Sequence, residues 1–178
     1  MNLTAFGVLA LRAAGARRDD RALRRAATAL ERRQNADGGF NFAGRGISGI
    51  DDTAAVIQAL AVVRGAGARS VRRAAAFLGR RQNVDGGYPL QPGQRSNAQS
   101  TAYAVQGLIA AGRSADRQRT RGSRSPLAYL RSLQAPDGSI RYSRTSAQTP
   151  VWVTAQALAA LARRPLPLRG PAARKADE

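Results

Sequence analysis

Two adjacent carboxylates, Asp51 and Asp52, open an apolar stretch and run directly into Thr53-Ala54. No other acidic pair in the chain heads such a stretch. Neighbouring carboxylates divide two proton affinities between them, which is one way to keep a carboxyl group protonated for general-acid work. At the start of a helix the same pair equally suits capping and complements the helix dipole. Composition closes several other routes. Cysteine and histidine are both absent, which removes Cys/His zinc sites and any triad resting on an imidazole base. No Asp-Asp-x-x-Asp run is present, so magnesium-assisted diphosphate ionisation lacks its usual ligands. No metal and no cofactor is expected.

The remaining candidates come as sets. Gln58, Gln106 and Gln156 recur in three apolar segments, and Phe6, Tyr103 and Trp152 fall at nearly equivalent places in such segments. Repeated glutamines in buried helices need hydrogen-bond partners. They are expected to find them on neighbouring helices or on loop backbone, with contact to a ligand as the alternative. The three aromatics fit ordinary core packing, and also convergence on one cavity.

A repeat positions these residues. Gln34-Asn35-Ala36-Asp37-Gly38-Gly39-Phe40 returns as Gln82-Asn83-Val84-Asp85-Gly86-Gly87-Tyr88 and, worn, as Gln134-Ala135-Pro136-Asp137-Gly138-Ser139-Ile140. Such a period marks an array of supersecondary units. An arginine-decorated helical pattern precedes each copy, beginning near Asp20, Ser70 and Ser125, and an apolar one follows, beginning near Asp51, Ser100 and Thr149. A weaker apolar copy begins near Asn2. Aligning the apolar helices pairs Thr4, Thr53, Thr101 and Val151. A helix apolar nearly all round belongs inside and a one-faced helix outside. The prediction is therefore an all-α array of seven helices in two layers. Units span about 1–49, 50–98 and 99–148, with a partial unit at 149–163. Ser70 and Ser125 are expected N-caps, with Pro126 in the first helical position. The motif aspartates and glycines read as a turn, the carboxylate accepting from nearby backbone N–H groups. Residues 164–178 lose the period, carry several prolines and are expected to form a linker or disordered tail.

The formal net charge is +18, almost all of it arginine. A solvated arginine-rich exterior accounts for most of it, and an anionic membrane surface is the partner class it suits. Nucleic acid is not expected. No apolar run reaches the length of a membrane span.

The motif copies resemble the glutamine–tryptophan repeat of the terpene cyclase and prenyltransferase superfamily. Arg73, Ala74, Phe77, Leu78, Gln82, Gly86 and Tyr88 fit that pattern in order. Arg25, Ala26, Leu30, Gln34, Gly38 and Phe40 fit it with Ala29 in place of the aromatic, and Tyr129, Leu130, Gln134 and Gly138 with Ile140 in place of the last aromatic. The resemblance implies an α/α toroid around an apolar cavity that binds an isoprenoid-like hydrophobic molecule. In class II cyclases an Asp-x-Asp-Asp-Thr-Ala pattern protonates the substrate. By that resemblance Asp51 takes the proton-donor position and Asp52 its neighbour, while Gly49 stands where the first aspartate would be. Phe6, Tyr103 and Trp152 would then offer ring faces to a carbocation. A full toroid has about twelve helices, so seven imply a fragment of a longer chain, a half-barrel that pairs with another copy, or a relic. A non-catalytic scaffold that meets protein or anionic surfaces through its outer arginines is the rival to a partial cyclase.

Overall fold

The computed structural model describes residues 2–44, 46–120 and 122–168. Among the described residues seven helices follow one another: α1 (Asn2–Ala13), α2 (Arg21–Glu31), α3 (Ile50–Arg64), α4 (Arg69–Gly79), α5 (Ala98–Ala110), α6 (Pro126–Arg131) and α7 (Pro150–Leu161). A two-residue antiparallel ladder, β1 (Tyr88–Pro89) with β2 (Ser96–Asn97), sits between α4 and α5. Helices α1, α3, α5 and α7 pack side by side, and α2, α4 and α6 each bridge two of them from outside. The result is a partial α/α toroid of helical hairpins.

The layers follow from how much of each helix is apolar. Helix α2 buries only Leu23, Ala27 and Leu30, one face at helical spacing, and turns its arginines outward. Helix α3 buries ten of its fifteen residues because neighbours cover it on both flanks and outside. Ser125 caps α6 ahead of Pro126, as the sequence predicts, and Asp20 caps α2 by accepting from the Ala22 and Leu23 amides. Ser70 does not cap α4. The helix starts one residue earlier, behind Ala68, and the Ser70 hydroxyl donates to Glu31 Oε1 instead. Nor does either aspartate of the 51–52 pair cap α3. Gly49 holds the cap position without a side-chain bond, and Asp51 and Asp52 lie in the first turn. There their charge still complements the dipole.

The motif is the joint between units. Asp37, Asp85 and Asp137 each accept from the backbone N–H two residues on, at 2.9, 3.0 and 3.0 Å. Gln34 donates Nε2 across the gap to Ser70 O, and Gln82 donates to Arg124 O, so each turn is tied to the backbone of the next outer layer. Gly38 and Gly86 have φ of +89° and +91°, and a Cβ on either would fall 2.7 or 2.6 Å from the carbonyl oxygen of Arg73 or Arg124. Backbone strain and lack of space both demand glycine there.

Threonines fasten each turn to the inner helix that follows. Thr53 Oγ1 accepts from the Phe40 amide at 2.9 Å and Thr101 Oγ1 from the Tyr88 amide at 2.8 Å. In the third unit Thr154, not Val151, accepts from the Ile140 amide at 2.9 Å. The register of α7 is therefore three residues away from the one that pairs Val151 with Thr53. The loops 41–49, 89–97 and 141–149 are equal in length, and most of the extra spacing lies before the third turn, in the connection between α5 and α6.

Candidate functional site

With the threonines as register marks, one face of each inner helix becomes visible. Residues two before, two after and five after the threonine share that face, the spacing of one helical stripe. On α3 these are Asp51, Ala55 and Gln58; on α5 Gln99, Tyr103 and Gln106; on α7 Trp152, Gln156 and Ala159. This stripe is the concave side of the layer. Phe6, Tyr103, Gln106, Trp152 and Gln156 line one largely apolar groove of about 510 Å³.

Leu166 and Leu168 complete its wall. They belong to the segment after α7, which returns across the inner helices. Gln106 Nε2 donates to Arg164 O at 2.9 Å, and the Leu166 amide donates to Gln58 Oε1 at 2.7 Å. Residues 164–168 thus form a strap over the concave face, while 169–178 of the expected tail lie outside the described residues. Nothing in the sequence pattern marked the strap except leucine alternating with proline. Gln58 is fully buried beneath it and does not line the groove. Gln156 is not the counterpart of Gln58 and Gln106, because the register of α7 places it opposite Tyr103, whose hydroxyl it hydrogen-bonds.

Asp51 and Asp52 do not line the groove, but Asp51 lies near enough to Tyr103 for its charge to act on the hydroxyl. Burial pushes its carboxyl up to about 6, the negative charge of Asp52 adds to the rise, and a hydrogen bond from Ser100 opposes it. Asp51 Oδ1 is buried and has no hydrogen-bond partner among the described residues. The Tyr103 hydroxyl is itself raised, first by burial and further by the charge of Asp51, with the Gln156 bond acting against both. An electrostatic line therefore runs from α3 through α5 to α7. Asp52 turns the other way: a Cβ at Gly49 would fall 3.1 Å from Asp52 Oδ2. A third carboxylate at position 49 would crowd Asp52 and repel it. Among the described residues no group of acidic side chains has the geometry to hold a metal ion.

The helical array agrees with a family comparison. The model of the squalene-hopene cyclase C-terminal domain matches residues 1–149. The chain belongs to that family. A comparison with curated proteins returned no match. The family match covers α1 to α6 and ends where the shifted α7 begins, so the strap and the Trp152 wall lie beyond it. The outer arginines line shallow hollows of their own. Arg12, Arg17, Arg18, Arg24 and Arg64 surround one of about 570 Å³ that shares no residue with the groove. No helix among the described residues is long and apolar enough to cross a membrane.

Proposed function

We propose that this cyclase-family domain binds an isoprenoid-type hydrocarbon in its concave groove and carries a partial class II terpene cyclase site with Asp51 as general acid. The observation that supports it is a carboxyl pushed up to about 6 by burial and close enough to Tyr103, in the aromatic-lined groove, for its charge to act on that hydroxyl. In the reaction, the alkene π pair takes the Asp51 proton to form a new C–H bond, leaving a tertiary carbocation and the Asp51 carboxylate. Ser100 and the N-terminal end of α3 stabilise that carboxylate as it forms, which strengthens the acid in the transition state. The ring faces of Phe6, Tyr103 and Trp152 attract the cation without bonding to it. Asp52, by its charge, supports retention of the proton before substrate enters. The test is turnover of squalene by the parent chain and by Asp51→Asn. The expected result is metal-independent conversion that falls by about a hundredfold or more in the variant. No conversion by the parent, or equal conversion by both, refutes the assignment.

A further inference from the structure

Five arginines meet around the C-terminal ends of α1 and α3. Arg12 and Arg64 sit in the last turns of those helices, Arg17 and Arg18 in the loop that leaves α1, and Arg24 on α2. With Asp19 and Val63 they line a hollow of about 570 Å³. It is bounded by α1, α2 and α3, which all pack on one another. Asp19 is the one carboxylate among its lining residues. Arg17 already holds that carboxylate in a fork, with Nε and Nη2 each 3.1 Å from an oxygen.

Three of the other guanidinium groups are held in place by backbone oxygens. Arg12 donates to Ala16 O, and Arg18 Nη2 donates to Val63 O at 3.5 Å. Arg64 Nη2 reaches Arg24 O at 3.3 Å, Thr28 Oγ1 at 2.7 Å and Glu31 Oε2 at 3.3 Å. A guanidinium carries more N–H donors than such tethers use. Arg12 Nε is buried and has no partner among the described residues. The Arg24 side chain makes no hydrogen bond or ion pair among them. Capping of helix C-termini by basic side chains explains Arg12 and Arg64 one at a time. It does not explain why five cations face one hollow with a single carboxylate that is already paired. Like charges gathered in a concave site repel one another and concentrate their field. A bound anion relieves that repulsion and supplies the acceptor that Arg12 Nε and Arg24 lack.

We infer that this hollow binds a phosphate group, with donors from Arg12, Arg18, Arg24 and Arg64. Guanidinium forks match the oxygens of a tetrahedral oxyanion bidentately. Several forks around one hollow favour a multiply charged phosphate or diphosphate over chloride or a single carboxylate. A soluble phosphate ester and a lipid headgroup present the same chemistry to these arginines. The hollow shares no residue with the groove, so the site stands whether or not the groove takes an isoprenoid.

Two measurements on the full chain at about 150 mM salt test it. One is calorimetric titration with inorganic pyrophosphate. The other is co-sedimentation with phosphatidylcholine vesicles, with and without phosphatidic acid. Saturable pyrophosphate binding at one site per chain identifies a soluble ligand. Vesicle binding that requires phosphatidic acid, without pyrophosphate binding, identifies a lipid headgroup. In whichever arm binds, Arg24→Gln is expected to weaken the affinity about tenfold with no change in thermal midpoint, since Arg24 has no partner to lose. Asp19→Asn is expected to tighten it several-fold, because it removes the repelling charge and frees Arg17. Arg95→Gln, which removes an exposed charge outside the hollow, is expected to change nothing. Binding in neither arm overturns the site, as does an Asp19→Asn variant that binds no tighter than the parent. Equal losses from Arg24→Gln and Arg95→Gln also overturn it, because they report only the net charge of the surface.

Discussion

At the scale of single residues, Asp51 is the carboxyl that the fold pushes up most clearly. Its carboxyl holds its proton to about pH 6 in the fold because burial penalises the charge, whereas an unfolded aspartate titrates near 3.9. Between those values the native state binds more protons than the unfolded one, so stability falls as pH rises through this window. Replacing Asp51 by Asn removes the penalty. The variant is expected to be more stable than the parent at pH 7 by up to about 3 kcal/mol, with the gap closing by pH 4. Urea midpoints measured across that range decide it; a variant less stable at pH 7, or a difference independent of pH, contradicts the burial account. A stabilising loss of the acid is what a residue kept for chemistry shows, since function and stability then pull apart. The pair Asp51-Asp52 was legible as an isolated acidic feature. Its division of labour, one carboxyl raised by burial and acting on Tyr103 and one turned toward Gly49, required the fold, because burial depends on which neighbours the packing supplies.

At the scale of elements the joint is the unit of construction, and its glycines separate backbone strain from crowding. Gly38, Gly86 and Gly138 share a positive φ near +90°, so alanine is strained at each. Only the first two also face a carbonyl oxygen under 3 Å from the new Cβ. Gly86→Ala is therefore expected to cost about 3 kcal/mol or more and Gly138→Ala about 1–2 kcal/mol, by chemical denaturation. Equal costs would show that the third turn is closed as tightly as the others. The turn aspartates, the glycine pairs and the two helix classes were readable from the sequence, because turn chemistry and helical periodicity are local. The register of α7 was not. Val151 sits at the repeat spacing, yet Thr154 has the hydroxyl that the Ile140 amide needs. A buried N–H without a partner costs about 1–3 kcal/mol, so hydrogen bonding outweighed spacing. That shift carries Gln156 off the glutamine set and onto Tyr103.

At the scale of the molecule the strap links the end of the array to its centre. Gln58 is fully buried and accepts from the Leu166 amide, while Gln106 donates to Arg164 O. Gln58→Ala is expected to lower stability by about 2 kcal/mol or more, through a cavity and an orphaned Leu166 N–H. Gln106→Ala is expected to cost less, because it leaves the Arg164 carbonyl, exposed to solvent, without its donor. Hydrogen exchange at Leu166 reads the strap directly, and rapid exchange of that amide in the parent chain would show that the strap does not hold.

The sequence by itself determined the repeat, the two layers, the turn chemistry and the membership of the cyclase family. Each rests on short-range periodicity or on a motif with a local backbone reason. Only the tertiary structure decided which stripe of each inner helix faces the groove, which carboxyl is buried, and that residues 164–168 cross the concave face. Those outcomes depend on contacts between residues as far apart as Gln58 and Leu166. Such contacts leave no period in the chain because each is made once.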